Sequence, residues 1–177
     1  MQSLTCPIPN NINPLQSNGF MFAINKLPNV SYFCQEANLP GLNLPAADMS
    51  TPFVDVPIPG EKLTFDELTI TFLIDENMEN YIAIHNWMIG LGFPKSHAQY
   101  QQFIRNNASG LNTNELLTGY SDGVLQVMNS SNNPIRTVQF SDLFPTQLQS
   151  IQLQSTTQDT VYLAGTATFR YTLYEFV

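Results

Sequence analysis

Charge is scarce in this chain. Asp, Glu, Lys and Arg make up only 11% of its 177 residues, against about 25% in an ordinary soluble domain. Bases are scarcer still: Lys26, Lys62, Lys95, Arg105, Arg136 and Arg170 are scattered singly against fourteen acids, for a net charge of −8. Tight binding to a nucleic-acid backbone takes many phosphate contacts from Lys and Arg, and this distribution argues against it. An acidic surface past which nucleic acid slides without sticking is still compatible. Cysteine is nearly absent too. Cys6 and Cys34 have no metal-ligand spacing and cannot form a disulfide framework, so two free thiols in a reduced compartment are expected. No apolar run reaches the length of a membrane span. The opening MQSLTCPIPN has neither a basic n-region nor an apolar h-region, so a signal peptide is not expected, and Leu4-Thr5-Cys6 is not expected to be a lipoprotein box.

Catalytic patterns are also missing. The chain has no phosphate-cradling GxxxxGK, no GxGxxG after a strand, no HExxH and no calcium-binding loop. Asp66-Glu67 is an acid pair, but neighbours on a strand point to opposite faces. Asp75-Glu76 is explained by capping of the helix that follows. His85 falls within the apolar arc of that helix, as a histidine at the edge of a core, and His97 lies in a polar stretch. Neither histidine has a nucleophile or an acid arranged beside it. No enzyme activity, catalytic residue, cofactor or metal site is expected.

Asn, Gln, Ser and Thr fill the place of charge, and 43% of residues are apolar. A surface that is polar but poor in ions can be covered by neighbouring subunits at low desolvation cost. The length favours one domain. Residues 1–19 read as an irregular arm, followed by a single domain over 20–177. Phe20–Ile24 alternates as a first strand, and Val30–Gln35 as a second that makes a hairpin with it. Residues 39–60 carry Pro40, Pro45, Pro52, Pro57 and Pro59, which rules out a central strand. Yet Leu39, Leu42, Leu44, Met49, Phe53, Val54, Val56 and Ile58 are apolar, so the segment reads as an arm or edge ribbon that docks on its own domain or on a neighbour. Leu68, Ile70, Phe72 and Ile74 form one face of a half-buried strand, with a bulge or bend at Asp66-Glu67. Asp75 or Asn77 caps a helix that ends at Gly90 and Gly92 before Pro94. Its apolar arc is wide enough for two sides to pack. A polar insertion follows at about 93–122, with a short helix over Gln99–Ile104. The second half holds a hairpin over Gly123–Phe140, a corner at Phe144-Pro145, a strand over Leu148–Leu153 and one long terminal strand, Val161–Val177. Such length suggests a barrel or extended sheet. The fold class is mainly β with one flanking helix, α+β. Most aromatics fall on apolar phases; a carbohydrate-binding sandwich would need Trp87 and the tyrosines exposed.

Several stretches together resemble the tail tube protein family of contractile-tailed bacteriophages. They are Gly19–Ile24, the segment up to Leu39-Pro40-Gly41, the run Val56–Leu68 leading into Thr69–Phe72 and Asp75-Glu76, the helix with Trp87, Phe144-Pro145-Thr146, and the ending Ala167–Tyr171. The resemblance covers roughly residues 19–92 and 120–177. It implies a small β-barrel or sandwich that closes into hexameric rings, and rings that stack into a tube for DNA ejection. It also implies contacts with sheath, baseplate or neck proteins, passage of DNA without specific binding, no membrane, assembly in the host cytoplasm and a place in the virion tail. By the same resemblance, Leu42, Leu44, Met49, Phe53, Val54, Val56 and Ile58 form a ring-stacking element. Thr166, Thr168, Arg170 and Thr172 of the terminal strand face the lumen. The chain is either the repeating tube subunit or a tube-end relative: an initiator, baseplate or tail-completion protein of the same fold.

Overall fold

The computed structural model describes residues 13–92, 94–98, 101, 119–154 and 162–177. In chain order its elements are β1 (Phe20–Ile24), α1 (Pro28–Tyr32), β2 (Cys34–Ala37), β3 (Leu42–Asn43), β4 (Ala46–Ser50), β5 (Asp55–Pro59), β6 (Thr64–Phe65), β7 (Leu68–Leu73), α2 (Glu79–Gly92), β8 (Ser121–Met128), β9 (Pro134–Leu148), β10 (Ala164–Arg170) and β11 (Leu173–Phe176). One sheet runs in the order β1-β8-β9-β10-β7-β2, with β11 joining β9. Two separate ribbons are made by β3 with β6 and by β4 with β5. The expected mainly β architecture with a flanking helix stands. Among the described residues the sheet is open, ending at β1 and β2 rather than closing on itself.

The bend that folds this sheet over its core lies in β9. Its first part pairs with β8 and β11, and its last part pairs with β10. Asp142 takes a positive φ of 57° at the changeover, and a register shift follows where Phe169 faces Pro145 and Thr168 faces Gln147. Proline is tolerated there because a bulge frees the backbone from the ladder. The expected corner at Phe144-Pro145 is thus a bend inside one 15-residue strand. The expected strand over Leu148–Leu153 is not formed: β9 ends at Leu148 and residues 149–154 are irregular. The terminal strand is two strands, split at Tyr171-Thr172. The split shifts the phase, so Leu173 is exposed and Tyr174 turns inward.

The two sheet halves enclose Phe22, Phe72, Phe140, Phe169, Leu68, Ile70 and Leu143, and α2 adds Ile84 and Trp87. Each such side chain contributes roughly 1.5–3 kcal/mol through burial. Strand β7 alternates buried and half-buried along its length, as its sequence pattern predicts. Helix α2 buries one stripe only: Asn80, Ile84, Trp87 and Gly90. On the second stripe Tyr81 and Met88 are half-buried against the core while Ile82 and His85 are exposed, so among the described residues the second side packs only in part and the histidine lies outside the core edge. Capping also differs from expectation. Buried Asn80, rather than Asp75 or Asn77, locks the helix start: its Nδ2 donates to Leu73 O at 2.7 Å, and its Oδ1 accepts from Tyr81 N at 2.8 Å and Asp75 N at 3.4 Å.

The expected second strand at Val30–Gln35 is corrected more sharply. Pro28–Tyr32 is a helical turn that buries Val30, and only Cys34–Ala37 is strand. Pro28 suits the first turn, where a missing N–H costs nothing. Ser31 fixes the geometry, since its Oγ accepts from Ile24 N at 2.9 Å and donates to Leu27 O at 3.1 Å. Strand β1 therefore pairs with β8, and β2 pairs with β7. The Gln99–Ile104 helix and most of the polar insertion lie outside the described residues.

Candidate functional site

A ribbon that leaves the body between Gly41 and Phe65 gathers Leu42, Leu44, Met49, Phe53, Val54, Val56 and Ile58, all exposed, into one run of chain. Its outer part is the β4–β5 hairpin, paired from Ala46–Pro59 to Ser50–Asp55, and all ten of its strand residues are exposed. Residues directly opposite share a face. Ala47, Met49, Val56 and Ile58 therefore form one apolar side, while Asp48, Ser50 and Asp55 stand on the other. At the tip, Phe53 is 98% and Val54 66% exposed. Isolated two-stranded hairpins are marginal in water, and none of the described residues covers this one.

The edges of the hairpin are guarded even though its face is not. Gly60 N donates to Pro45 O at 2.8 Å, closing the base. A Cβ on Gly60 would lie 2.4 Å from that same oxygen. Pro57 and Pro59 fall on the alternate register positions, where the missing N–H points away from β4. Two outward donors are thus removed, which discourages pairing through the β5 edge. Docking through the apolar face remains open.

Where the ribbon meets the body, aromatic rings hold it. Phe65 meets Tyr171 and Tyr174 edge-on at 5.9 and 5.6 Å between centroids. Tyr171 donates its hydroxyl to Asp66 O at 2.8 Å, and Tyr174 donates to Pro40 O at 3.2 Å. Burial pushes the Tyr171 phenol above its ordinary pKa, helped by the nearby charges of Tyr174 and Asp66. Asp66 N donates to Gly41 O at 3.1 Å, and the Asn38 side chain bridges Glu67 O and Thr69 N. This bracing makes the bend at Asp66-Glu67. Beside it, Leu42, Leu63, Phe65, Leu173, Tyr174 and Phe176 line an open groove of about 450 Å³.

All seven residues expected to stack rings are exposed and lie along this ribbon: Leu42, Leu44, Met49, Phe53, Val54, Val56 and Ile58. The four terminal-strand residues are less uniform. Thr166 is half-buried, and Arg170 and Thr172 are exposed, but Thr168 is only 7% exposed. On the outward face of β10 and β7, Thr166 faces Thr71 and Thr168 faces Thr69. Arg170 Nε meets Glu67 Oε1 at 3.0 Å. Thr172 lies off this ladder, between the last two strands, and its N–H donates to Ser141 O at 3.0 Å. Sequence reasoning missed Glu67 and the two tyrosine clasps, because both depend on cross-strand register between residues about a hundred positions apart.

Other polar groups serve the interior. Trp87 is buried and donates Nε1 to Gly119 O at 2.9 Å, which removes the aromatic on which a carbohydrate platform would rest. Lys26 lies 5.3 Å from the centre of its ring, and burial lowers the ammonium pKa. Burial pushes the Cys34 thiol up to about 11, which leaves it unreactive at neutral pH.

Comparisons with known proteins add to this geometry. A family model described as phage tail tube protein matches residues 3–177. The tail tube terminator protein of Enterobacteria phage T4 is 25% identical over 170 residues, covering 92% of this chain and 89% of its own. The anti-feeding prophage cap that terminates its tube shares the fold with a TM-score of 0.59 at 16% identity, each chain 99% covered. A chain from the sheath–tube complex of an extracellular contractile injection system reaches 0.57 at 14% identity, with 94% and 93% covered.

Proposed function

Since the chain belongs to the phage tail tube protein family, we propose that it forms a ring that seats on the last ring of a tail tube and closes it as a terminator. The observation that carries the reading is the β4–β5 hairpin, which exposes an apolar face and an aromatic tip while its prolines block one edge. An apolar surface of this kind is covered in the working state, and a ring neighbour is the cover that the family supplies. Leu42, Leu44, Met49, Phe53, Val54, Val56 and Ile58 make the contact between stacked rings. Six copies close each ring, and sheath, baseplate or neck proteins complete the surroundings. The ring sits in the virion tail and assembles in the host cytoplasm.

The hydroxyl-rich outward face of β7 and β10 is our candidate for the channel wall, with Thr166 and Arg170 on it, and Thr172 just past its end, facing the lumen. Hydroxyls hold water without attracting phosphate, and the net charge of −8 repels it, so DNA passes without being bound. The end-piece role is favoured by the terminator of phage T4, which is related over nearly the whole chain. The repeating-subunit reading is favoured by the same hairpin, which could seat on further copies of itself.

Negative-stain electron microscopy of the purified protein, with light scattering and with preformed tail tubes added, separates them. Discrete rings that attach to tube ends and stop growth are the expected result. Tubes of indefinite length would make this the repeating subunit. A protein that stays monomeric at high concentration and ignores tube ends would overturn both.

A further inference from the structure

The outward face of the β7–β10 pair forms a regular ladder. Thr71 faces Thr166, both half-buried, and two residues on Thr69 faces Thr168, which is buried. One rung beyond, past the last backbone pair Leu68–Phe169, Glu67 faces Arg170 and their side chains meet at 3.0 Å. Two hydroxyl rungs are thus followed by one ion-paired rung, and Arg170 is the only cation on β10.

The pair has little to do for the fold. Its side chains are 65% and 46% exposed, and ion pairs that open to water contribute little to stability. The bend beneath it is already held by the Asn38 side-chain amide, the Asp66 N–H and the Tyr171 hydroxyl, each bonded to backbone. Its effect is on surface charge. An arginine presents five donors in a fork that matches phosphate oxygens. A ring repeats that fork once per copy around a channel.

We propose that Glu67 is a charge mask: its carboxylate neutralises the Arg170 guanidinium beside it, so that duplex DNA moving along this face meets no uncompensated cation there. The proposal rests on the reading of this face as the channel wall. Without Glu67, each ring would offer a circle of guanidiniums to the phosphate backbone. Every phosphate so engaged adds about 0.9 to the slope of log affinity against log salt.

The test uses assembled wild-type protein and the variants Glu67→Gln, Arg170→Gln and the double variant. Micrographs check each for rings, and circular dichroism checks each for fold. A short fluorescent DNA duplex, small enough to enter a ring by diffusion, is titrated at rising salt. Wild type and Arg170→Gln are expected to show no retention. Glu67→Gln is expected to bind at least about tenfold more tightly at about 50 mM salt, and to lose the duplex by about 300 mM. The double variant returns to wild type. Glu67→Gln rings that bind no better than wild type overturn the mask, as does a double variant that still binds. A wild type without rings in the micrographs would instead overturn the ring reading beneath it, and that result is read independently of the DNA curve.

Discussion

Gly165 on β10 lies opposite Phe72 on β7. A Cβ there would stand 2.9 Å from Phe72 Cζ and 3.2 Å from Cε2. The ring has nowhere to retreat, because Phe72 is fully buried among Leu68, Ile70, Ala167 and Phe169. Gly165→Ala is therefore expected to destabilise the chain by about 1–3 kcal/mol through overpacking, seen as a lower urea midpoint at unchanged slope. An unshifted midpoint would mean that the ring can move. In sequence this glycine reads only as a weak spot in a strand, because its need arises from a ring more than ninety positions away. The large apolar residues were easier to read: Leu68, Ile70 and Phe72 alternate, and alternation is a local signal. Val30 shows where that signal fails. Five residues are too few to separate a period of 2 from one of 3.6, and the side-chain bonds of Ser31 decided the matter.

At the level of elements, the β8–β9 hairpin and the β7 strand were legible, while the partner of β1 and the long elements were not. Strand β9 runs for 15 residues through Pro145, since a bulge releases the proline from the ladder. The terminal segment looked continuous because its β-formers are continuous, yet it breaks at Tyr171, where the chain turns to clasp the ribbon. That clasp has a pH signature. Burial, chiefly, raises the Tyr171 phenol above its ordinary value of 10.0, so the folded chain holds this proton more tightly than the unfolded chain does. The stability it represents is complete below about pH 10 and is lost as pH climbs through the raised value. Cys34, raised from 9.0 to about 11, acts in the same direction from about pH 9. Lys26 acts oppositely: its pKa is lowered from 10.5, so its contribution improves as pH rises toward that value. Tyr171→Phe is expected to melt lower than wild type at neutral pH, because the bond to Asp66 O is lost, and to fall less steeply above pH 10. Melting curves that run parallel from pH 9 to 11 would show that the phenol is not the titrating element.

At the scale of the whole molecule, the ribbon was visible as an anomaly before it was visible as a shape: prolines that forbid a central strand, beside apolar residues that forbid a solvated loop. Its amphipathic face was hidden, because the face depends on the Met49–Val56 and Ala47–Ile58 register. The burial of Thr168 within the terminal-strand set was hidden as well. The ribbon also separates folding from assembly. Met49 and Val56 touch solvent in the single chain, so replacing both with Asn removes no core packing and is expected to change monomer stability by no more than about 0.5 kcal/mol. In the proposed ring the cost falls on association, where each apolar side chain buried at the contact would be worth roughly 1.5–3 kcal/mol and would be repeated by every copy. Two such losses per copy would add up around the proposed ring. Met49→Asn with Val56→Asn should thus leave the melting temperature intact while abolishing attachment to tube ends in the microscope. A variant that melts normally and still caps tubes would move the contact off this face. One that unfolds would show that the hairpin packs against its own body after all.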